Sequence, residues 1–167
     1  MQPEKRSLKS AAVKTIDLLI PCHNEEESAP ALLQALNNTI EGFILYEQGK
    51  VQFHLIIVDD GSSDNTCQVF ERLIQQSSSL AGGSIISLSR NFGKEAGMLA
   101  GLRNSQGDAC IILDADLQDP PSLIPTMVNA WLEGYQVVNA VRHDRSSDGL
   151  MKRLSSEGFY SLFLKLS

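Results

Sequence analysis

A chain of 167 residues, 43% of them hydrophobic and 20% charged, has room for one domain with a sizeable core and hardly for two. The net charge of −6 argues against a protein that coats nucleic acid, because phosphate backbones demand clustered Lys and Arg. It does not exclude a nucleotide, whose phosphates a carboxylate-held cation can offset locally. Cys22, Cys67 and Cys110 stand apart without metal-ligand spacing, each in or beside an apolar run. That pattern suits small buried hydrophobes in a reducing compartment better than a disulfide scaffold.

Residues 1–14 read as a polar tail carrying Lys5, Arg6, Lys9 and Lys14, without the apolar centre of a signal peptide. No uninterrupted apolar stretch reaches the roughly 20 residues of a spanning helix. Thr15-Ile-Asp-Leu-Leu-Ile20 predicts a strand that stops at Pro21, and Leu32, Leu33, Leu36 and Ile40 then repeat at helical spacing. Phe53 to Val58 predicts a second strand ending in Asp59-Asp60-Gly61. Ser63 or Asp64 can cap the next helix, with Val69, Phe70, Leu73 and Ile74 on its inner face. Residues 77–84 read as a surface loop, and Ser84 to Leu88 as a third strand. Lys94 to Asn104 predicts a helix, Ala109 to Leu113 a fourth strand, and Ile124, Met127, Val128 and Trp131 a further helix. Gln136 to Val141 predicts a fifth strand. This alternation predicts an α/β domain over residues 15–141, with a mainly parallel sheet covered by helices on both faces. Residues 142–167 follow as a basic loop and the start of an apolar helix, in which Phe159, Leu162, Phe163 and Leu166 fall at interfacial-helix spacing, or simply at core spacing.

Ligands of open parallel sheets sit outside the carboxyl ends of the strands. The polar clusters fall at those ends: Pro21-Cys-His-Asn-Glu25, Asp59-Asp-Gly-Ser-Ser-Asp64, Ser89-Arg-Asn-Phe-Gly93 and Asp114-Ala-Asp-Leu-Gln-Asp-Pro-Pro121. Four loops therefore converge on one rim. Asp114 and Asp116, one residue apart after a buried strand, can both turn toward Mg²⁺ or Mn²⁺, which take hard oxygen ligands and keep places for phosphates. Alone a D-x-D is weak, since a solvated loop or helix cap also explains it. The adjacent Asp59 and Asp60 repel each other and need donors or a cation; a strand-to-helix turn explains them equally well. Glu25 to Glu27 can serve only a helix dipole. Arg90 and Lys94 bring cations to a helix start, where phosphate binds, though Arg90 equally fits a surface pair.

Together, Pro21…Asn24-Glu25, Val58-Asp-Asp-Gly-Ser62, Arg90-Asn-Phe-Gly93 and Asp114-Ala-Asp-Leu-Gln-Asp-Pro-Pro121 resemble, in order and spacing, the family 2 inverting glycosyltransferases of GT-A fold. The nearest likeness is to the branch that loads sugar onto polyprenyl or dolichol phosphate. The resemblance runs from about Ile16 to Tyr160. It implies that Pro21, Asn24 and Glu25 border the nucleoside, with Asp60 or Asp59 on base or ribose. Asp114 and Asp116 would straddle metal and diphosphate, Gln118 would support the metal shell, and Asp119 would lie on the sugar side. Arg142, Arg145, Lys152 and Arg153 stand where a basic loop closes over phosphates, followed by Ser156 and Tyr160. The implied partners are a UDP- or GDP-sugar and a polyprenyl phosphate at the cytoplasmic face of a membrane, reached through a region beyond residue 167. Homo-oligomerisation stays open. His23 departs from the aromatic residue that many relatives place before Asn-Glu. Two other readings compete: a family 2 transferase acting on a sugar hydroxyl, and a receiver-like signalling domain. The second would put the acidic pair after its first strand, whereas here it follows the second. A Rossmann dehydrogenase is disfavoured because no G-x-G-x-x-G follows a strand.

Overall fold

A computed structural model describes residues 12–140. The Ile- and Val-rich runs become four strands, β1 (Lys14–Cys22), β2 (Val51–Asp59), β3 (Gly82–Ser87) and β4 (Ala109–Ile112). All are parallel, in the order β3-β2-β1-β4. The helices are α1 (Ala29–Glu41), α2 (Ile44–Glu47), α3 (Thr66–Gln76), α4 (Lys94–Asn104) and α5 (Ile124–Leu132). A 3₁₀ turn, Pro121–Leu123, leads into the last. The chain builds outward from β1 to β3 and then returns to set β4 on the other side of β1. The strand order therefore reverses between β1 and β4, where such sheets open a crevice.

Alternation along β1 assigns its two faces. Ile16, Leu18, Ile20 and Cys22 join Phe53, Leu55 and Ile57 of β2 in the larger core, closed by Leu32, Leu33, Leu36 and Ile40 of α1, Phe70 of α3, and Ile124 and Val128 of α5. Leu19, Ile56 and Val58 face the other way, packed by Ala100 of α4. Helix α4 lies close to the sheet because Gly101 has no side chain; a Cβ there would meet Leu19 Cδ1 at 2.0 Å.

Three boundaries differ from the sequence expectation. Pro21 does not stop the first strand, since it pairs with Val58 and the ladder to β2 runs on to Cys22 opposite Asp59. Alternate residues of a parallel strand bond to opposite neighbours, and the Leu19 carbonyl accepts from the Leu113 N–H on the β4 side. The N–H that proline lacks is therefore the next donor toward β4, and the β1–β4 ladder ends there. The expected fifth strand is not formed over residues 136–140, where Val137 is 75% exposed, and no ladder joins these residues to β4. Its last residue, Val141, lies outside the described residues. The loop expected at 77–84 ends early, since Gly82 to Ser84 already pair with β2.

Asp17 holds the approach to β4. It is buried, and one carboxylate oxygen accepts from the Ser105 hydroxyl at 2.7 Å and from the Gln106 and Gly107 N–H groups at 2.8 Å. His54 Nδ1 lies 3.4 Å from the other oxygen. Burial pushes the carboxyl up, but the hydrogen bonds from Ser105, Gly107 and Gln106, with His54 nearby, outweigh it and hold Asp17 below its ordinary value of 3.8. A depressed folded-state value stabilises above the unfolded value and is lost as pH falls through the folded one. Asp17→Ala is expected to cost about 1–3 kcal/mol at pH 7, because three part-buried donors lose a charged acceptor. Urea unfolding from pH 7 to pH 2 checks this, and the gap between variant and wild type should shrink below pH 3.8.

Candidate active-site cleft

A cleft of about 350 Å³ opens at the carboxyl ends of the strands. Pro21, Cys22, His23 and Glu25 line it from the end of β1, Asp60 from the end of β2, Asn91, Gly93 and Lys94 from the β3–α4 turn, and Asp114, Ala115 and Asp116 from the end of β4. The predicted convergence of four loops is thus realised. A roomier groove of about 590 Å³ lies nearer the strands' amino ends, but its one carboxylate, Asp17, is already engaged by the 105–107 turn.

The adjacent acids behind β2 find donors and diverge. Asp60 is buried, and its two oxygens accept from the Phe92 N–H at 2.7 Å and the Gly93 N–H at 2.8 Å. It forms the cleft floor while fixing the β3–α4 turn. Asp59, also buried, does not line the cleft; its Oδ1 accepts from the Ser62 N–H at 3.1 Å. Gly61, next after them, must be glycine, because its φ is +67° and a Cβ would stand 2.5 Å from the Arg90 carbonyl carbon.

On the β1 side, Asn24 adopts a left-handed φ of 57°, which asparagine tolerates. Its side-chain oxygen accepts from the Ser63 N–H at 2.8 Å, and its own N–H donates to Ser62 Oγ. Asn24 therefore ties two rim loops together and is not among the cleft-lining residues. Of the two expected capping residues, Ser63 and Asp64, it is Asp64 that meets the start of α3, its Oδ1 accepting from the Thr66 N–H at 3.0 Å. Glu25 lines the cleft, with its carboxylate accepting from the Ser28 hydroxyl. His23 Nδ1 lies 2.9 Å from the Asp60 carbonyl oxygen, which fixes the ring against the neighbouring loop.

On the β4 side, Asp114 pairs with Lys94, Nζ to Oδ1 at 2.5 Å. Asp116 is exposed, and Gln118 holds it twice: the backbone N–H donates to Oδ1 at 3.0 Å and Nε2 to Oδ2 at 2.6 Å. Leu117 between them has a φ of 60°, a conformation costing about 1 kcal/mol or more in a non-glycine residue. Its side chain packs on the core, which keeps the turn in place. Asp119 is half-buried in the same turn. Arg90 lies elsewhere than expected: its guanidinium sits 4.8 Å above the Phe92 ring, and it does not line the cleft. Arg142, Arg145, Lys152, Arg153, Ser156 and Tyr160 lie outside the described residues.

Among the described residues no three His, Cys, Asp or Glu side chains stand together as a metal cage. The pair Asp114 and Asp116, hard oxygen donors on an open cleft, fits an ion that keeps places for water and phosphate oxygens. From sequence, Lys94 is a cation at a helix start where phosphate binds, with no acidic partner assigned to it. Its place after Gly93 was visible, but the pairing with an acid 20 residues away was not.

Fold and cleft together define an α/β domain of GT-A type, with an acidic crevice at its switch point. The chain belongs to glycosyl transferase family 2, whose profile matches residues 17–166. It is 38% identical over 152 residues to the bactoprenol glucosyl transferase of Shigella phage SfV, covering 91% of this chain and 47% of that one. It is 37% identical over 145 residues to the undecaprenyl-phosphate 4-deoxy-4-formamido-L-arabinose transferase of Proteus mirabilis, covering 86% of this chain and 41% of the other. The chain thus spans about half the length of these relatives, or less. Its fold matches that of the mannosyltransferase PcManGT from Pyrobaculum calidifontis, with a TM-score of 0.59 at 24% identity, over 79% of this chain and 36% of that one.

Replacing Asp60 by Ala is expected to free the Phe92 amide, leave the Gly93 amide with only Asn91 Oδ1 at 3.1 Å, and cost about 1–3 kcal/mol. Hydrogen exchange should quicken at those amides while the β1–β2 ladder stays protected. Unchanged exchange at both would contradict the clamp.

Proposed function

We propose that this domain transfers a sugar, with inversion, from a UDP- or GDP-sugar to a polyprenyl phosphate at the cytoplasmic face of a membrane, using Mg²⁺ or Mn²⁺. The observation that carries this reading is the single cleft shared by Glu25, Asp60, Asp114 and Asp116 at the sheet's switch point. The names of the curated relatives, bactoprenol and undecaprenyl-phosphate sugar transferases, support the acceptor. The similarly folded mannosyltransferase is in complex with GDP-Man and Mn²⁺, which supports the donor class and the ion.

Asp114 and Asp116 would hold the ion, with Gln118 fixing the second carboxylate. Bound there, a divalent ion offsets charge building on the departing nucleoside diphosphate. Pro21 and Glu25 would border the nucleoside, with Asn24 stiffening that rim. Asp60 would shape the floor under base or ribose, supported behind by Asp59, and Arg90 would stand at the outer edge of the phosphate end. Asp119 would face the transferred sugar. Arg142 and Arg153 are assigned to the acceptor phosphate on the family likeness. A phosphate acceptor is already anionic, so positioning and charge do the work that a general base does for a hydroxyl.

Thermal denaturation tests the donor half: one nucleoside-diphosphate sugar should raise the Tm with Mn²⁺ present, and EDTA or Asp116→Ala should remove the shift. Labelled UDP- and GDP-sugars, offered to the protein in native membranes with undecaprenyl phosphate, test the acceptor. Label should pass into lipid, and Asp116→Ala should slow it about 100-fold or more. Transfer to sugar hydroxyls alone would overturn the acceptor assignment.

A further inference from the structure

Lys94 is the one Lys or Arg among the described residues that line the acidic cleft. Its Nζ reaches Asp114 Oδ1 at 2.5 Å, and its side chain remains 54% exposed. This placement is built, because it rests on the Asp60 clamp at Phe92 and Gly93 and on Gly61 packed against the Arg90 and Asn91 backbone. The other cation of the segment, Arg90, is parked on Phe92. The turn therefore delivers a single ammonium to the cleft, onto the first of the two candidate metal-holding carboxylates.

One carboxylate oxygen does not serve an ammonium and a divalent cation at full strength together, since the two cations repel at contact distance. A lysine is a flexible, strongly hydrated point charge, and an exposed pair of this kind is weak enough to exchange. Phosphate oxygens are a natural second partner for it.

We propose that Lys94 occupies Asp114 when the cleft is empty and moves to the diphosphate oxygens of the donor when a divalent ion takes Asp114. This rests on the metal and nucleotide reading above. Lys94 would then make the ion bind poorly alone and well with nucleotide, so that the two enter as a unit. It is a binding residue for the diphosphate and a competitor of the bare ion.

The test is Mn²⁺ titration followed by electron paramagnetic resonance, which reads free Mn²⁺ directly, on wild type and Lys94→Met with and without UDP or GDP. Lys94→Met should bind Mn²⁺ alone about 2- to 5-fold more tightly, the scale of an exposed ion pair. Its affinity for the nucleoside diphosphate at saturating Mn²⁺ should fall about 10-fold or more, the scale of a lost charged hydrogen bond. Lys94→Arg should restore both toward wild type, and Lys94→Gln should match Lys94→Met, which keeps the test intact if one variant folds poorly. Mn²⁺ affinity unchanged or weakened in the folded variants, with wild type still binding nucleotide in a Mn²⁺-dependent way, overturns this inference alone. A wild-type protein that takes up no Mn²⁺ under any of these conditions overturns the metal reading and this inference with it.

Discussion

Carboxylates gathered in one cleft repel one another, and each needs a donor to hold it in place. Here Asp60 is held by two backbone N–H groups, Glu25 by the Ser28 hydroxyl, Asp116 by Gln118 and Asp114 by Lys94. The rest of the site depends on this distribution of donors. It fixes four acidic side chains without neutralising most of them, and so leaves a crevice whose negative potential favours a cation over a bare phosphate. On the proposed function, a nucleotide would enter such a place together with a metal ion.

The scaffold makes the crowding possible. Parallel strands bring several carboxyl ends to one edge, and the reversal between β1 and β4 opens a gap there. Pro21 widens the gap by withholding the next ladder donor from β4, so the chain peels away after Leu113 and carries Asp114 and Asp116 into the opening. Gly61 lets the β2 loop lie against the β3–α4 turn, within reach of Asp60. Left-handed residues at Asn24 and Leu117 are the two non-glycine examples among the described residues, and both sit in loops bordering the cleft. Strain there fits a rim set by tertiary contacts rather than by local preference.

Much of this could be read from the sequence because hydrophobic periodicity is local. Leu32, Leu33, Leu36 and Ile40 announced α1, and all four are buried. The acidic clusters marked the strand ends because a parallel sheet puts chemistry there. Long-range partners were illegible. Nothing near Asp60 says that its acceptors would be spent on the Phe92 and Gly93 amides, and nothing near Arg90 and Lys94 says that one would rest on a ring while the other crossed to Asp114. Pro21 misled because a proline stops a ladder on one side of a strand only. Val137 and Val138 have strand propensity, yet residues 136–140 form no ladder, since pairing is decided by partners and not by the strand alone.

In the proposed function, Asp114 and Asp116 clasp a divalent ion against a nucleoside diphosphate in the cleft they share with Glu25 and Asp60. Crystals grown with Mn²⁺ and UDP or GDP, with data collected at the manganese absorption edge, test it most directly. An anomalous peak should stand between the two aspartates, with diphosphate oxygens completing its shell. A peak elsewhere, or a nucleotide seated in the cleft with no metal at those side chains, would contradict it.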